Sequence, residues 1–324
     1  MKLAAALALL FAAGSAQAAP PAGQCEMAAA DRTWIDNALA NWRIVARDKL
    51  LLKASALPTV VTFDAACSYV APGTGAGPRR WQAARHQGSI RLPDGKEIPA
   101  GVISFAAPGE GKASGFFVMS LPSVWRAAGV TSGMGLERLM DGVLLHELMH
   151  AWQFYFANPR LAELTSRYKL PDDINDDSLQ AAFKDNPAYV KDYERERDLL
   201  FAAAAAPDRA EARRLAREAL AAMRARRARW FTGTDEKWAP LDEIFLTMEG
   251  LGQWAIWSWV TDRRGGALGR EAALKEVRRG GRWWTQDEGL ALFLTIDRLV
   301  RGWQKSAFAP KPETAEALLA RAAR

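Results

Sequence analysis

The stretch Val143-Leu144-Leu145-His146-Glu147-Leu148-Met149-His150-Ala151-Trp152-Gln153 contains the pattern His-Glu-x-x-His inside an apolar run. Residues four apart share one face of a helix, so His146 and His150 can present two imidazole nitrogens to one metal ion. Glu147 lies beside them, within reach of the proton of a metal-bound water. The chain has 3 histidines, and two of them belong to this motif. The stretch therefore predicts a metal-binding helix.

The flanking residues indicate that this helix is buried. Apolar residues recur at intervals of three and four, as a core-facing helix requires: Leu136, Leu139, Met140, Val143, Leu144 and Leu148. We expect Asn158-Pro159 to end the helix. Burying histidines without partners costs free energy, and metal ligation removes that cost. The alternative is a pair of ordinary core histidines that match the pattern by coincidence.

On these residues, the segment resembles the active-site helix of the zincin metallopeptidases. The resemblance implies Zn²⁺ held by His146 and His150, with Glu147 as the general base that activates a water molecule. It also implies a third protein ligand further along the chain and an open fourth position. By motif, the resemblance covers this helix and one later segment.

The third ligand has to be sought elsewhere in the chain. The longer metzincin pattern is absent, because Gln153 and Phe156 stand where its glycine and last histidine would be. The remaining histidine, His86, lies upstream in a loop-like stretch rich in Arg and Gln and is a poor candidate. We therefore expect a carboxylate from a later helix, as in the gluzincin branch of the family.

Two segments can supply this carboxylate. Glu249 lies within an apolar helical stretch, where a lone carboxylate is costly. The Glu249-Gly250 step and the residues after it are similar to the ligand-bearing helix of gluzincin aminopeptidases, and the glycine allows another helix to approach closely. Glu194 and Asp198 match a spacing seen in thermolysin-like enzymes, but neighbouring arginines offer them and Glu196 simpler partners. We favour Glu249 and keep Glu194 and Glu196 as alternatives.

Other side chains are candidates for roles around the metal, although each also has an ordinary structural explanation. Asp242 and Glu243 lie about two turns before Glu249 and are candidates for holding the ligands in place. Tyr189 and Tyr193 are candidates for stabilising an oxyanion, as tyrosines on later helices do in some zincins. Candidates for the cleft wall are Trp152, Gln153, Trp254, Trp257 and Trp259. In zincins a sheet edge binds extended peptide, which gives residues 115–119 a candidate role in substrate pairing.

The N-terminus and the cysteines predict export. Residues 1–18 combine a charged start at Lys2, a short apolar run and an Ala-x-Ala site, so we predict a signal peptide cleaved after Ala18. The Ala- and Arg-rich composition suggests a bacterial source, and the destination would then be the periplasm or the medium. The apolar run is too short to span a membrane, so no transmembrane anchor is expected. In an oxidising compartment, Cys25 and Cys67 are expected to form a disulfide.

The formal net charge of +6 arises mainly from one arginine-rich stretch, residues 209–229. Such a surface can attract anionic lipid, cell-wall polymer or nucleic acid. The alternative, which we favour, is a solvated helix whose arginine stems cover apolar surface. No aromatic residues are interleaved in the stretch as stacking platforms, so we expect no nucleic-acid partner.

The remaining pattern predicts an α+β fold, mainly α. Strands are expected at residues 59–64, 89–92, 102–106 and 115–120, with a turn at Asp94-Gly95, and a helix at 31–52. Later helices are expected at residues 189–206, 208–230, 241–261, 271–279, 286–303 and 312–323. Residues 172–177 are expected to form a polar capping loop. The expected domains are the signal peptide, an α/β part with a mostly antiparallel sheet packed on the motif helix (19–158), and a helical part supplying the third ligand (159–324).

These observations favour a secreted or periplasmic zinc metallopeptidase that acts on peptide or protein substrates. The competing interpretation is a non-catalytic exported helical protein that binds a metal or a polyanion. Glu147 discriminates between them, since a structural zinc site needs no acid after its first histidine and fills its fourth position with protein. A third interpretation is a zincin-like protein whose cleft is closed by the extra helices, with latent or restricted activity.

Overall fold

A computed structural model describes residues 5–7, 25–52, 57–73, 80–109 and 115–324. The strands in this part are β1 (Ala5–Leu7), β2 (Thr59–Phe63), β3 (Cys67–Ala71), β4 (Gln82–Arg85), β5 (Ser89–Arg91), β6 (Glu97–Pro99), β7 (Ser104–Ala107) and β8 (Phe116–Ser120). They form a six-stranded sheet in the order β1-β7-β8-β2-β3-β4 and a separate β5-β6 hairpin. β1 lies within the expected signal peptide, and most of that segment, including the cleavage site at Ala18, lies outside the described residues.

The sheet is mostly antiparallel, as the sequence predicted. In the six-stranded sheet the β2-β8 pair is parallel, and the other four pairs are antiparallel. The hairpin turns at Asp94-Gly95, where Gly95 has φ 81° and its N–H donates to the carbonyl of Leu92. A glycine suits this position because a Cβ disfavours positive φ. The four predicted strands and the turn are confirmed, whereas β1, β3, β4 and β6 were missed.

The expectation that residues 115–119 lie at a sheet edge is wrong. β8 lies between β7 and β2 and is hydrogen-bonded to both. Its five residues are buried, which matches their unbroken apolar character in the centre of a sheet. Because both backbone edges are already paired, β8 cannot add a substrate strand.

One face of the sheet and the β5-β6 hairpin share a hydrophobic core. Aromatic and branched side chains fill it: Val61, Phe63, Ile90, Leu92, Phe105, Phe116 and Val118. Burial of such side chains stabilises a fold by about 1.5–3 kcal/mol each. This core anchors the strand that leads into the next helical segment.

Helices make up most of the remaining chain. Their bounds are α1 (Ala29–Asp48), α2 (Pro122–Ala127), α3 (Leu136–Tyr168), α4 (Ser178–Phe183), α5 (Pro187–Ala205), α6 (Arg209–Trp230), α7 (Trp238–Val260), α8 (Arg270–Arg278), α9 (Trp284–Leu299), α10 (Gln304–Ala307) and α11 (Ala315–Ala322). All predicted helices are present, and apart from the C-terminal end of α3 their ends lie within a few residues of those expected. The short helices α2, α4 and α10 were missed, because segments of six residues or fewer have too little apolar periodicity to detect. No helix in the described ranges is long and apolar enough to cross a membrane.

Helix α3, which carries the motif, does not end at Asn158-Pro159 as the sequence suggested. It continues for nearly three more turns, to Tyr168. Pro159 lacks the N–H that would bond to the carbonyl one turn earlier, at Tyr155, and both residues lie on the exposed side of the helix. Beyond the proline, Leu161 and Leu164 are buried, and this burial keeps the chain helical.

The chain divides into two compact units. One combines residues 2–154 with 255–276, and it contains the sheet, α1, α2, the motif and α8. The other combines residues 155–254 with 277–324 and is helical. In the first unit a disulfide joins Cys25, just before α1, to Cys67 at the start of β3. The expected disulfide is therefore present.

The arginine-rich helix α6 is not simply a solvated helix, contrary to expectation. Arg226 is buried, and its guanidinium donates to Glu196, Asp242 and the hydroxyl of Tyr189 at 2.7–3.1 Å. Arg227 also donates to Asp242, at 2.8 Å. Burial, together with the charge of Glu196, raises the pKa of Glu288 well above its usual range, while Arg226 opposes the rise. The two arginines are therefore paired with several carboxyl groups inside the molecule.

Candidate metal centre

The two histidines of the motif point their side chains at the same place. The Nε2 atoms of His146 and His150 are 2.8 Å apart, and the rings are nearly perpendicular. The residues are 5% and 2% exposed, respectively. One helical turn separates them, so the backbone of α3 alone brings both imidazoles to this point.

Gln153 determines which nitrogen His150 offers. The Nδ1 atom of His150 lies 2.8 Å from the side-chain Oε1 of Gln153. Because a carbonyl oxygen accepts, Nδ1 carries the proton, and Nε2 keeps a lone pair for a metal. We expected Gln153 at a cleft wall. Its three-residue spacing from His150 was the signal for the observed contact.

Glu249 on α7 completes a group that could hold a metal ion. One ligand atom each from His146, His150 and Glu249 lies within 4.8 Å of the others. Glu249 is 2% exposed, in a helix whose neighbouring side chains are largely apolar. Two imidazoles and one carboxylate form a ligand set used by catalytic zinc sites, although other divalent metals also accept it.

The two alternative carboxylates have other environments. Glu194 is exposed, and Glu196 is bound to Arg226 in the buried cluster described above. Salt-bridge partners were the reason for ranking this segment second, and for Glu196 the structure shows that partner. Of the three candidates, Glu249 is the one that lies with the histidines.

A close contact between α7 and α9 positions the turn that carries Glu249. A Cβ on Gly250 would lie 2.6 Å from the carbonyl oxygen of Gly289, and a Cβ on Gly289 would lie 2.7 Å from the backbone of Gly250. Such distances are too short for any side chain, so the two helices touch through their backbones. The expectation that Gly250 allows close helix approach is confirmed.

The loop before α4 adds a second acidic group near Glu249. Burial raises the pKa of Asp177, and the negative charge of Glu249 raises it further, while Arg282 opposes the rise. The backbone N–H of Asp177 donates to the side chain of Asn175, which holds the turn. The sequence identified residues 172–177 as a capping loop but not their proximity to Glu249.

Glu147 is nearly inaccessible, with 1% exposure, and it is not among the three convergent ligand residues. It follows His146 directly in α3, so its carboxylate is on the same helical turn as a ligand. A buried carboxylate in this position can accept a proton from a group bound at the metal site.

Four other candidates serve the helical core and not the site. The hydroxyl of Tyr189 accepts from Arg226, and the hydroxyl of Tyr193 donates to the carbonyl of Trp284. Asp242 is bound by Arg226 and Arg227. Glu243 accepts from the hydroxyl of Thr314 at 2.9 Å. The predicted roles in oxyanion and ligand support are therefore wrong for these residues, because stronger partners engage their polar atoms.

The tryptophans and the third histidine have structural roles. Trp254 packs edge-on against Trp303, Trp257 lies under the guanidinium of Arg270, and Trp259 is buried. Trp152 is half-buried on α3. His86 is near β4, where it bonds to the backbone of Asp64 and Gly88.

No family model matches this chain, and no curated protein or solved structure is significantly similar to it.

Proposed function

We propose that the protein is an exported zinc-dependent metallopeptidase. The observation that supports this most directly is the convergence of His146, His150 and Glu249 with the buried Glu147 beside them. This donor set suits Zn²⁺, and Gln153 holds one imidazole in the tautomer that a metal requires.

The residues divide into ligands and a base. His146, His150 and Glu249 would hold the ion, which supplies Lewis-acid polarisation of a substrate carbonyl and lowers the pKa of a water molecule. Glu147 takes the proton from the attacking water and returns it to the leaving amine. Its burial favours this role, because a carboxylate shielded from bulk solvent is a stronger proton acceptor.

The charge distribution supports the peptidase over a polyanion-binding protein. Much of the positive charge of α6 is paired with carboxylates of the same chain, since Arg226 and Arg227 bind buried carboxylates. Arg214, Arg224 and Arg229 also form ion pairs, with Glu211, Glu316 and Asp192 respectively. An arginine face engaged in this way has less charge available for an anionic polymer. The disulfide is compatible with an exported protein.

The burial of the site favours a restricted form of the activity. His146, Glu147, His150 and Glu249 are each no more than 5% exposed. A peptide can reach ligands this deep only when surrounding side chains move. The proposed enzyme is therefore expected to be slow on folded proteins and to act on short or flexible peptides.

Metal analysis of the purified protein tests the site. We expect about one zinc per chain in the wild type, as a three-ligand site requires, and loss of zinc in His146→Ala and Glu249→Ala. Glu194→Gln, which changes the exposed alternative carboxylate, is the matched control and should retain zinc. Zinc retained in Glu249→Ala, or absent from wild type after zinc is supplied, would contradict the proposed centre.

Hydrolysis of a mixture of short peptides tests the chemistry. Glu147→Gln should retain zinc and lose at least about 100-fold in rate, because the amide cannot accept a proton. Unchanged hydrolysis in this variant would rule out Glu147 as the base. If the wild type binds zinc but cleaves none of the peptides, the result would indicate a non-catalytic metal-binding protein.

A further inference from the structure

A groove between α1 and the start of α3 has no role in the proposed chemistry. Its volume is about 740 Å³. The lining residues are Ala29, Ala30, Thr33, Trp34, Asn37, Ala40, Asn41, Glu137 and Asp141. Alanines at three of these positions leave the space that larger side chains would fill. Asp141 precedes His146 by five residues, which places it well around α3 from the motif histidines.

Asp141 is the chemically unusual residue of this groove. Burial, with a smaller contribution from the charge of Glu137, raises the pKa of its carboxyl to about 7, while Trp34 and Asn41 oppose the rise. The side-chain amide of Asn41 donates to the carboxyl at 3.3 Å. None of the groove-lining residues is a lysine or an arginine. A carboxylate buried without a cation is costly, and either a proton or a bound cation removes that cost.

Trp34 forms the floor beside this carboxyl. It is 7% exposed, and its indole Nε1 faces the carboxyl of Asp141, where the N–H opposes part of the rise in the pKa of that group. The ring also offers an aromatic surface, which attracts organic cations more strongly than neutral groups.

Glu137 marks the outer rim of the groove. It is 55% exposed at its side chain and forms an ion pair with Arg126. Its charge is therefore screened by solvent and by an arginine. Asp141 remains as the one carboxyl on the inner wall, too few oxygen ligands for a calcium or magnesium ion.

We propose that this groove binds an organic cation, an alkylammonium or guanidinium group, whose charge pairs with Asp141 and whose carbon chain packs on Trp34 and the alanine methyls. The volume accommodates a lysine-sized or arginine-sized group. Such a group can belong to a free amine or to a basic side chain of a peptide. This binding is independent of the proposed metal centre.

Calorimetric titration of the purified protein with n-butylammonium tests the proposal at pH 8, where Asp141 is largely ionised. We expect saturable binding in the millimolar range or tighter, and none of comparable affinity with 1-butanol, which has the same chain without the charge. Asp141→Asn should weaken butylammonium binding by about tenfold or more. Glu137→Gln, the rim control, should weaken it far less. The blocked lysine derivative Nα-acetyl-lysine methylamide distinguishes the sources: equal binding indicates a peptide side chain, and weaker binding a free amine.

A second measurement covers the case in which Asp141→Asn does not fold. Carboxyl NMR of the wild type should show the pKa of Asp141 falling below about 7 when butylammonium is added. Butanol binding as tight as butylammonium, no binding of the amine, or an unchanged Asp141 titration would each overturn the proposal.

Discussion

The ring of His150 illustrates how one hydrogen bond prepares a metal ligand. Its Nδ1–H donates to Gln153, so its Nε2 faces His146 with a lone pair. Without that acceptor, the neutral ring could place its proton on either nitrogen, and one of the two tautomers would block the metal. Gln153 therefore selects the tautomer that can bind a metal, although it is not itself a ligand.

Replacing Gln153 should weaken metal binding without unfolding the protein. We expect Gln153→Ala to reduce zinc affinity by about 10–100-fold, the usual effect of removing a partner of a ligating histidine. Competition with a chromogenic chelator measures this. Gln153→Glu retains an oxygen acceptor and serves as the matched control, with affinity near that of the wild type. Equal losses in the two variants would show that the contact matters for packing and not for the tautomer.

Asp141 should make the folded state less stable as pH rises. Its pKa is raised to about 7 in the folded protein, above the ordinary value of 3.8. The folded state therefore binds the proton more tightly, and the stability from this carboxyl is present at low pH and lost as pH rises towards 7. The loss amounts to as much as ~4 kcal/mol.

Urea unfolding from pH 4 to pH 8 measures this dependence. Asp141→Asn should reduce the fall in unfolding free energy that wild type shows across this range, and the raised pKa values of Glu288 and Asp177 should leave a smaller fall in the variant. Asp36→Asn, at an exposed carboxylate on α1, is the control and should keep the wild-type profile. Parallel profiles for wild type and Asp141→Asn would contradict the raised pKa.

Among the elements, the contact of α7 with α9 has the most direct consequence for the site. The backbones meet at Gly250 and Gly289, and the residue before Gly250 is the third candidate ligand. Glu288, the residue before Gly289 on α9, belongs to the Arg226 cluster, which also binds Asp242 of α7. Arg226 thus links α6 to α5, α7 and α9, and it holds α7 about two turns before Glu249.

A side chain at the glycine contact should force the two helices apart. We expect Gly250→Ala to destabilise the protein by about 1–3 kcal/mol, the usual cost of overpacking, and to weaken zinc binding by moving Glu249. Gly269→Ala is the matched control, because no atom lies within 4 Å of its Cβ position. Thermal unfolding and zinc titration measure the two effects. A Gly250→Ala protein as stable as wild type would mean that the helices adjust without cost.

For the whole molecule, the disulfide between Cys25 and Cys67 is the main covalent constraint in the described chain. It spans 42 residues of sequence and connects the segment before α1 to the sheet. Closing a loop of this size restricts the unfolded chain and stabilises the folded state by about 4 kcal/mol on the chain-entropy account.

Loss of the disulfide should lower the stability of the first unit. The double variant Cys25→Ser, Cys67→Ser should unfold at lower urea concentration than the oxidised wild type, by about 2–4 kcal/mol in unfolding free energy. Reduced wild type should match the variant, and added reductant should not change the variant. Identical midpoints for oxidised and reduced protein would show that the bond contributes little to stability.

Local patterns were sufficient for much of this molecule. The helix through His146 and His150, the helical second half, the four strands β2, β5, β7 and β8, and the disulfide followed from helical and strand periodicity and from cysteine count. These features depend on residues close together in sequence, or on a simple pairing of two cysteines. The same reasoning placed Glu249 first among three carboxylates, because a charge in an apolar helix demands a partner.

Tertiary structure decided what depends on contacts between distant segments. Pro159 was expected to end α3, yet burial of the leucines after it carries the helix on. Residues 115–119 were expected at an edge, but β1 and β7 cover that side of the sheet. The sequence suggested roles at the site for Tyr189, Tyr193 and Asp242. In the structure the buried guanidinium of Arg226 binds Tyr189 and Asp242, and the backbone of α9 binds Tyr193. Hydrogen-bond partners and strand order are long-range properties, so spacing along the chain determines which helix can bind a metal but not which polar groups surround it.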